Sequence, residues 1–257
     1  MDIVALGTLA SLAAASATAI GAIPVLFGRG VSVRAQCALL GFAAGVMLAA
    51  SFFSLILPAI VAARESYGGS FIPALITAFG VALGAVAIAL GNELIPHRHF
   101  VQGREGPPRS SVGNVWLFIA AITIHNFPEG GAVGVSFAGG DLASATALAV
   151  GIGLQNAPEG LAVAVALLAE GYTRRQAFLI ASLTAIVEPI GGFLGASVVT
   201  LSQMVLPYAL TFAAGAMIYV ISHEIIPETH TRGYQREATA GLTVGFVLML
   251  LLDVSLG

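Results

Sequence analysis

Eight apolar runs, each long enough to cross a bilayer, leave this chain almost nowhere to fold except within a membrane. They fall near Ile3 to Phe27, Gln36 to Ala63, Phe71 to Ile95 and Val115 to Ala138, then Leu142 to Ala169, Arg175 to Leu201, Met204 to Ile226 and Thr239 to Val254. A helix needs roughly 20 residues to span about 30 Å of hydrocarbon. None of the runs alternates apolar with polar residues as a barrel strand does, and a helix in lipid satisfies its own backbone. The expected fold is all-α: one integral membrane domain over residues 1–257, built as an eight-transmembrane-helix bundle. The opening "MDIVALG" carries an acid where a signal peptide has basic residues, so the first run is expected to be a retained span.

Composition excludes the main alternatives. At 58% hydrophobic and 9% charged residues the chain is far from the roughly 25% charge of soluble domains. Its ten basic residues are all arginine and form no polybasic run, so nucleic acid is not a partner. The single cysteine, Cys37, permits neither an intramolecular disulfide nor a thiolate metal cluster, and reads as packing.

The arginines also orient the bundle. With both termini extracytoplasmic, Arg29, Arg34, Arg98, Arg104, Arg109, Arg174, Arg175, Arg232 and Arg236 all fall in inner loops, and Arg64 alone falls outside. That asymmetry follows the positive-inside rule and supports an even number of spans. The longest connection, about residues 97–113 ("HRHFVQGREGPPRSSVG"), is polar and rich in Gly and Pro, and is expected to be a weakly ordered cytoplasmic loop. Glycines four apart, at Gly41/Gly45, Gly80/Gly84, Gly130/Gly134, Gly191/Gly195 and Gly241/Gly245, would let helix backbones approach closely.

Polar residues break into two adjacent runs in the same way. "HNFPEG" begins at His125 and "QNAPEG" at Gln155. On a helix His125 and Glu129 share a face, with Asn126 beside them, and Gln155, Asn156 and Glu159 repeat the arrangement. Pro128 and Pro158 cannot donate to the carbonyls of Ile124 and Leu154, so helices four and five are expected to be kinked around a central metal site. Glu188, in "VEPIGG", is a third acid inside an apolar run. A carboxylate at mid-membrane costs roughly 2.5–3.5 kcal/mol, and no intramembrane arginine cluster matches these three. Either they are protonated or a divalent cation is their counter-ion; the repeated ligand geometry favours the cation.

Imidazole, carboxylate and amide oxygen without thiolate suit zinc, and tolerate cadmium, iron or manganese. Met47 offers a soft sulfur, although a lone Met in a membrane helix is more often filler. A second echo, Glu-x-Ile-Pro-x-x-His, closes spans three and seven in "NELIPHRH" and "HEIIPETH". Glu93, His97, His99, His223, Glu224, Glu228 and His230 would gather at the cytoplasmic mouth, as a metal exit or as solvated helix ends.

Taken together, the paired "HNFPEG" and "QNAPEG" motifs, the eight spans and the His-bearing loop after span three resemble the ZIP (zinc/iron permease) divalent-metal transporters, bacterial members most closely. The resemblance implies inward transport of zinc and related ions across a bacterial inner membrane by a homodimer, with no enzymatic activity and no cofactor beyond the transported ion. It implies one metal among His125, Glu129, Gln155, Glu159 and Met47, and a second drawing on Asn126, Asn156 and Glu188 with Glu129 and Glu159 as bridges. Close relatives carry aspartate where this chain has Asn156, which weakens the second position. The family's elevator-like mechanism would move spans one, four, five and six past spans two, three, seven and eight. The competing readings are an intramembrane zinc-dependent hydrolase, against which stands the lack of a His-Glu-x-x-His motif, and a cation exporter or metal sensor.

Overall fold

Short turns, several closed by a capping side chain, start the helices where the apolar runs begin. Ser32 accepts from the backbone N–H of Ala35, Asp141 from those of Ala143 and Ser144, and Thr173 forms a reciprocal capping box with Gln176. The structure, a computed structural model, describes residues 2–28, 31–94, 97–99, 103–105, 114–230 and 232–256; for residues 94, 97–99, 103–105, 114–118 and 121 it describes the backbone alone. Arg29 and Arg109 lie outside the described residues.

The long helices are α1 (Ile3–Leu26), α2 (Val33–Tyr67), α3 (Phe71–Leu94), α4 (Asn114–Ala138), α5 (Leu142–Ala169), α6 (Arg174–Leu201), α7 (Gln203–His230) and α8 (Gln235–Leu256). Seven of these, all except α4, are long and apolar enough over their described residues to cross a membrane, and α4 itself runs for 25 residues. The chain is not helical throughout. Between α3 and α4, β1 (His97–His99) pairs antiparallel with β2 (Gly103–Glu105), His97 opposite Glu105. Pairing two extended segments satisfies backbone groups that no helix holds there. The rest of the connection expected to be weakly ordered lies outside the described residues.

Two helices contain a wider turn. Residues Ala50–Ile56 of α2 and Ile221–Ile225 of α7 are π-helical, with N–H groups bonding five residues back, Leu57 to Phe52 and Ile226 to Ile221. Each lies just ahead of a proline, Pro58 or Pro227. The change of register accommodates a residue that cannot donate and would press on the carbonyl four positions earlier.

Lipid removes most of the hydrophobic drive for helix association, so close van der Waals packing must hold the bundle. Two groups of four emerge from the contacts. In one, α1 packs along α5 and α6, and α4 along α6; in the other, α2 packs along α8, and α3 along α7. Within each group, most of the closely packed glycines face neighbouring backbone directly, although Gly80 meets the Thr211 side chain and Gly192 that of Ser11. Gly130 and Gly134 meet the carbonyls of Glu188 and Gly192, Gly21 and Gly160 those of Ala157 and Thr18, and Gly41 and Gly45 those of Ala238 and Leu242. Such Cα–H···O approaches contribute about 0.5–1 kcal/mol each. Between the groups, α5 meets α2 and α8, and α4 meets α7; the glycines at these boundaries face side chains, Gly151 the thioether of Met249 and Gly139, just past the end of α4, the side chain of Leu206.

Candidate functional site

The i, i+4 spacing delivers its polar residues to the interior. Glu129 is 1% exposed and Gln155 and Glu188 are fully buried, with His125, Asn126 and Asn156 also buried beside them. Both α4 and α5 continue through Pro128 and Pro158. Glu188 arrives differently from a residue in mid-helix. The helix of α6 breaks at Ala185 and Ile186 and restarts at Val187, which puts Glu188 in the first turn of the second segment. There Pro189 sacrifices no hydrogen bond, and the positive end of the helix dipole favours the carboxylate.

The three acids have different surroundings. Asn156 Nδ2 donates to both oxygens of Glu188, at 3.0 and 2.9 Å, and to the Ala14 carbonyl of α1 at 3.1 Å. Both oxygens of Glu129, Oε1 of Glu159 and both polar atoms of Gln155 have no hydrogen-bond partner. Gln155 stands beside Glu129 without hydrogen-bonding geometry, and Glu129 lies within electrostatic reach of Glu159 and Glu188. A buried polar atom left unpaired costs about 1–3 kcal/mol. A divalent cation suits this set, because two carboxylates cancel its charge and the Gln155 oxygen adds a neutral donor.

Glu129, Glu159 and His125 form part of the wall of a cavity of about 270 Å³ that extends to Gln36, Glu228 and Arg232. Alternation of the helices places that mouth at the end of the bundle that carries Arg34, Arg174, Arg175 and Arg236, with Arg64 at the other end. His125 is committed elsewhere in this conformation. Its Nε2 contacts Glu224 in the π-turn of α7, and Glu224 Oε1 accepts from Asn92 Nδ2 of α3 at 3.1 Å. One carboxylate thus joins the two helix groups. With His125 so held, no three His, Cys, Asp or Glu side chains among the described residues converge on one metal position.

The remaining expected residues are dispersed. Met47 is buried in the apolar core, and the cavity wall does not include it. Of the expected exit residues, Glu224 and Glu228 line the cavity, and Glu228 pairs with Arg232, which also donates to Gln36. His223 lies against the ring of Tyr219, with centroids 4.9 Å apart, and His230 Nδ1 lies 2.9 Å from the Ile226 carbonyl. Glu93 is exposed, and the side chains of His97 and His99 lie outside the described residues. Asn92 and the Ala14 carbonyl were not anticipated. An amide at the end of an apolar run was the available signal for Asn92; a backbone carbonyl leaves none.

Residues 101–253 match the family model described as "ZIP Zinc transporter". The chain is 46% identical over 251 residues to "Zinc transporter GufA" of Myxococcus xanthus, covering 98% of this chain and 99% of that protein. It is 45% identical over 249 residues to "Zinc transporter ZIPB" of Bordetella bronchiseptica, covering 97% and 81% respectively. "Zinc transporter ZIP11" of Homo sapiens is 36% identical, with 85% of this chain and 87% of that protein covered.

Proposed function

The chain belongs to the ZIP zinc transporter family, whose members carry divalent metal ions across membranes and are not enzymes, and from that premise we propose that zinc reaches the cytoplasm through the cavity between Glu129 and Arg232. It is an integral membrane protein, and the hydrolase alternative falls away. The observation that carries the route is the set of buried, unpartnered oxygens on Glu129, Glu159 and Gln155 in or beside the wall of a cavity that extends to the arginine-bearing end.

On this reading Glu129, Glu159 and Gln155 hold the ion in the core, and His125 joins them when it leaves Glu224. Met47 and Asn126 stand as additional candidate ligands. Glu224 and Glu228 then receive the ion on its way out, with Glu93, His97, His99, His223 and His230 near the mouth. Cadmium, iron and manganese compete for the same nitrogen and oxygen donors. The chain crosses the bacterial inner membrane eight times with both termini extracytoplasmic, and Pro128 and Pro158 kink α4 and α5 so that the Ile124 and Leu154 carbonyls face the site. The homodimer rests on the family likeness.

Alternating access is elevator-like: α1, α4, α5 and α6 move as one body past α2, α3, α7 and α8. Glycine-to-backbone contacts within each group and side-chain contacts between them support that division. Uptake of zinc into proteoliposomes, with cadmium, iron and manganese as competitors, tests the reading. Glu129→Gln and Glu159→Gln should each abolish or severely reduce flux in a protein that still elutes as a single folded species. Near-parental uptake by both variants refutes the site.

A further inference from the structure

Three carboxylates lie in the core, and one dication balances two of them. Glu129 and Glu159 are the pair with unpartnered oxygens; Glu188 is the one that already has donors. We infer that Asn156 is a fixed counter-group for Glu188, excluding Glu188 from the ligand set and limiting the core to one cation; the inference rests on the zinc site proposed above. The Asn156 amide presents its N–H groups to both Glu188 oxygens and to the Ala14 carbonyl, so it ties α1, α5 and α6 together at one point. A cation approaching that side of Glu188 would have to displace N–H groups whose positive ends point the same way as its own charge. The position of Glu188 in the first turn of its helix segment supplies further fixed positive potential without a metal.

The donor character of residue 156 is therefore the decisive variable. Asn156→Asp replaces the amide with a second acid about 3 Å from Glu188, and two carboxylates so close cannot both stay ionised without a proton or cation between them. In the double variant Asn156→Asp with Glu188→Gln, an amide faces a carboxylate again with the partners exchanged.

The test is the zinc content of purified, monodisperse protein, counted per chain by native mass spectrometry and by titration calorimetry with zinc as the sole ligand. The expected result is one zinc in the parent, two in Asn156→Asp and one in the exchanged double variant. Two zinc ions of matched affinity in the parent overturn the inference without touching the proposed site, and this measurement needs no variant to fold. One zinc in a folded Asn156→Asp also overturns it. Zinc binding that survives Glu129→Gln at parental affinity overturns the proposed site and this inference with it.

Discussion

Two neighbouring glycines on α4 give the packing argument a sharp test. A Cβ added at Gly130 would strike the Cα, C and O atoms of Glu188, whereas one added at Gly131 meets nothing nearer than the Gly191 carbonyl oxygen at 3.9 Å. The obstruction at Gly130 is backbone, with the Glu188 carbonyl oxygen only 2.0 Å from the added Cβ, so no rotamer change relieves it, and α4 and α6 must separate by roughly 1.5 Å to restore ordinary contact. Overpacking of that kind costs roughly 1–3 kcal/mol. Moving Glu188 away from the Asn156 amide adds roughly 1–3 kcal/mol for a buried group left unsatisfied. Replacing a helical glycine by alanine returns about 1 kcal/mol. The net for Gly130→Ala is a loss of about 3 kcal/mol; for Gly131→Ala it is a gain of up to about 1 kcal/mol. Thermal unfolding in detergent should place Gly130→Ala roughly 6–12 °C below the parent, with its zinc affinity weakened at least about tenfold because the core is displaced. Gly131→Ala should unfold at or slightly above the parental temperature and bind zinc normally. Equal damage from both substitutions would refute the claim that backbone contact, rather than general helix crowding, sets the position of Glu188.

Two further outcomes follow from individual contacts. Glu224→Gln removes the carboxylate that holds His125 while keeping an acceptor for Asn92; freeing the imidazole should tighten equilibrium zinc binding by roughly fivefold to tenfold, about 1 kcal/mol, and slow uptake because release is hindered. Weaker zinc binding in calorimetry would show that His125 is not a competing ligand. At the other end of the bundle, hydrogen bonds from Ser144, with one from Ala143, hold the Asp141 carboxyl below the usual carboxylate range. Since its folded pKa is depressed, its contribution is complete above its unfolded value of about 4 and is lost as pH falls through the folded one. Asp141→Ala should cost about 1 kcal/mol at pH 7, and the difference in unfolding temperature from the parent should shrink steadily toward pH 3. A difference independent of pH would mean that the cap does not act through its charge.

What could be read from the sequence was local. Hydropathy over some 20 residues located the long helices, and the echo of "HNFPEG" in "QNAPEG" placed Glu129, Gln155 and Glu159 on the faces that the structure turns inward. Glycine pairs marked helix contacts correctly, as at Gly41 and Gly45, but the identity of the partner, Ala238 and Leu242 of α8, depends on three-dimensional arrangement. The break in α6 was hidden because Ala185 and Ile186 are ordinary helix residues; only Pro189 hinted at it. The π-turns were hidden for a similar reason, since proline announces a disturbance without saying which register will absorb it. His125 illustrates the limit most clearly. Its residue type and spacing point to a metal, yet its present partner is a carboxylate nearly a hundred residues away. The hairpin in the α3–α4 connection carries no turn signature strong enough to separate it from irregular loop.

The difference between glycine-to-backbone and side-chain contacts also determines where the bundle is soft. Backbone against backbone has no rotamers to exchange, so the pairs α2 with α8 and α4 with α6 offer little compliance. The boundary near Gly151 has an unbranched thioether on one side, Met249, which can change shape at little cost. A bilayer thicker or thinner than the apolar belt loads its helices along their axes. That load would fall first on the seam between the two groups, so membrane thickness would act on the same coordinate as the elevator-like movement proposed above.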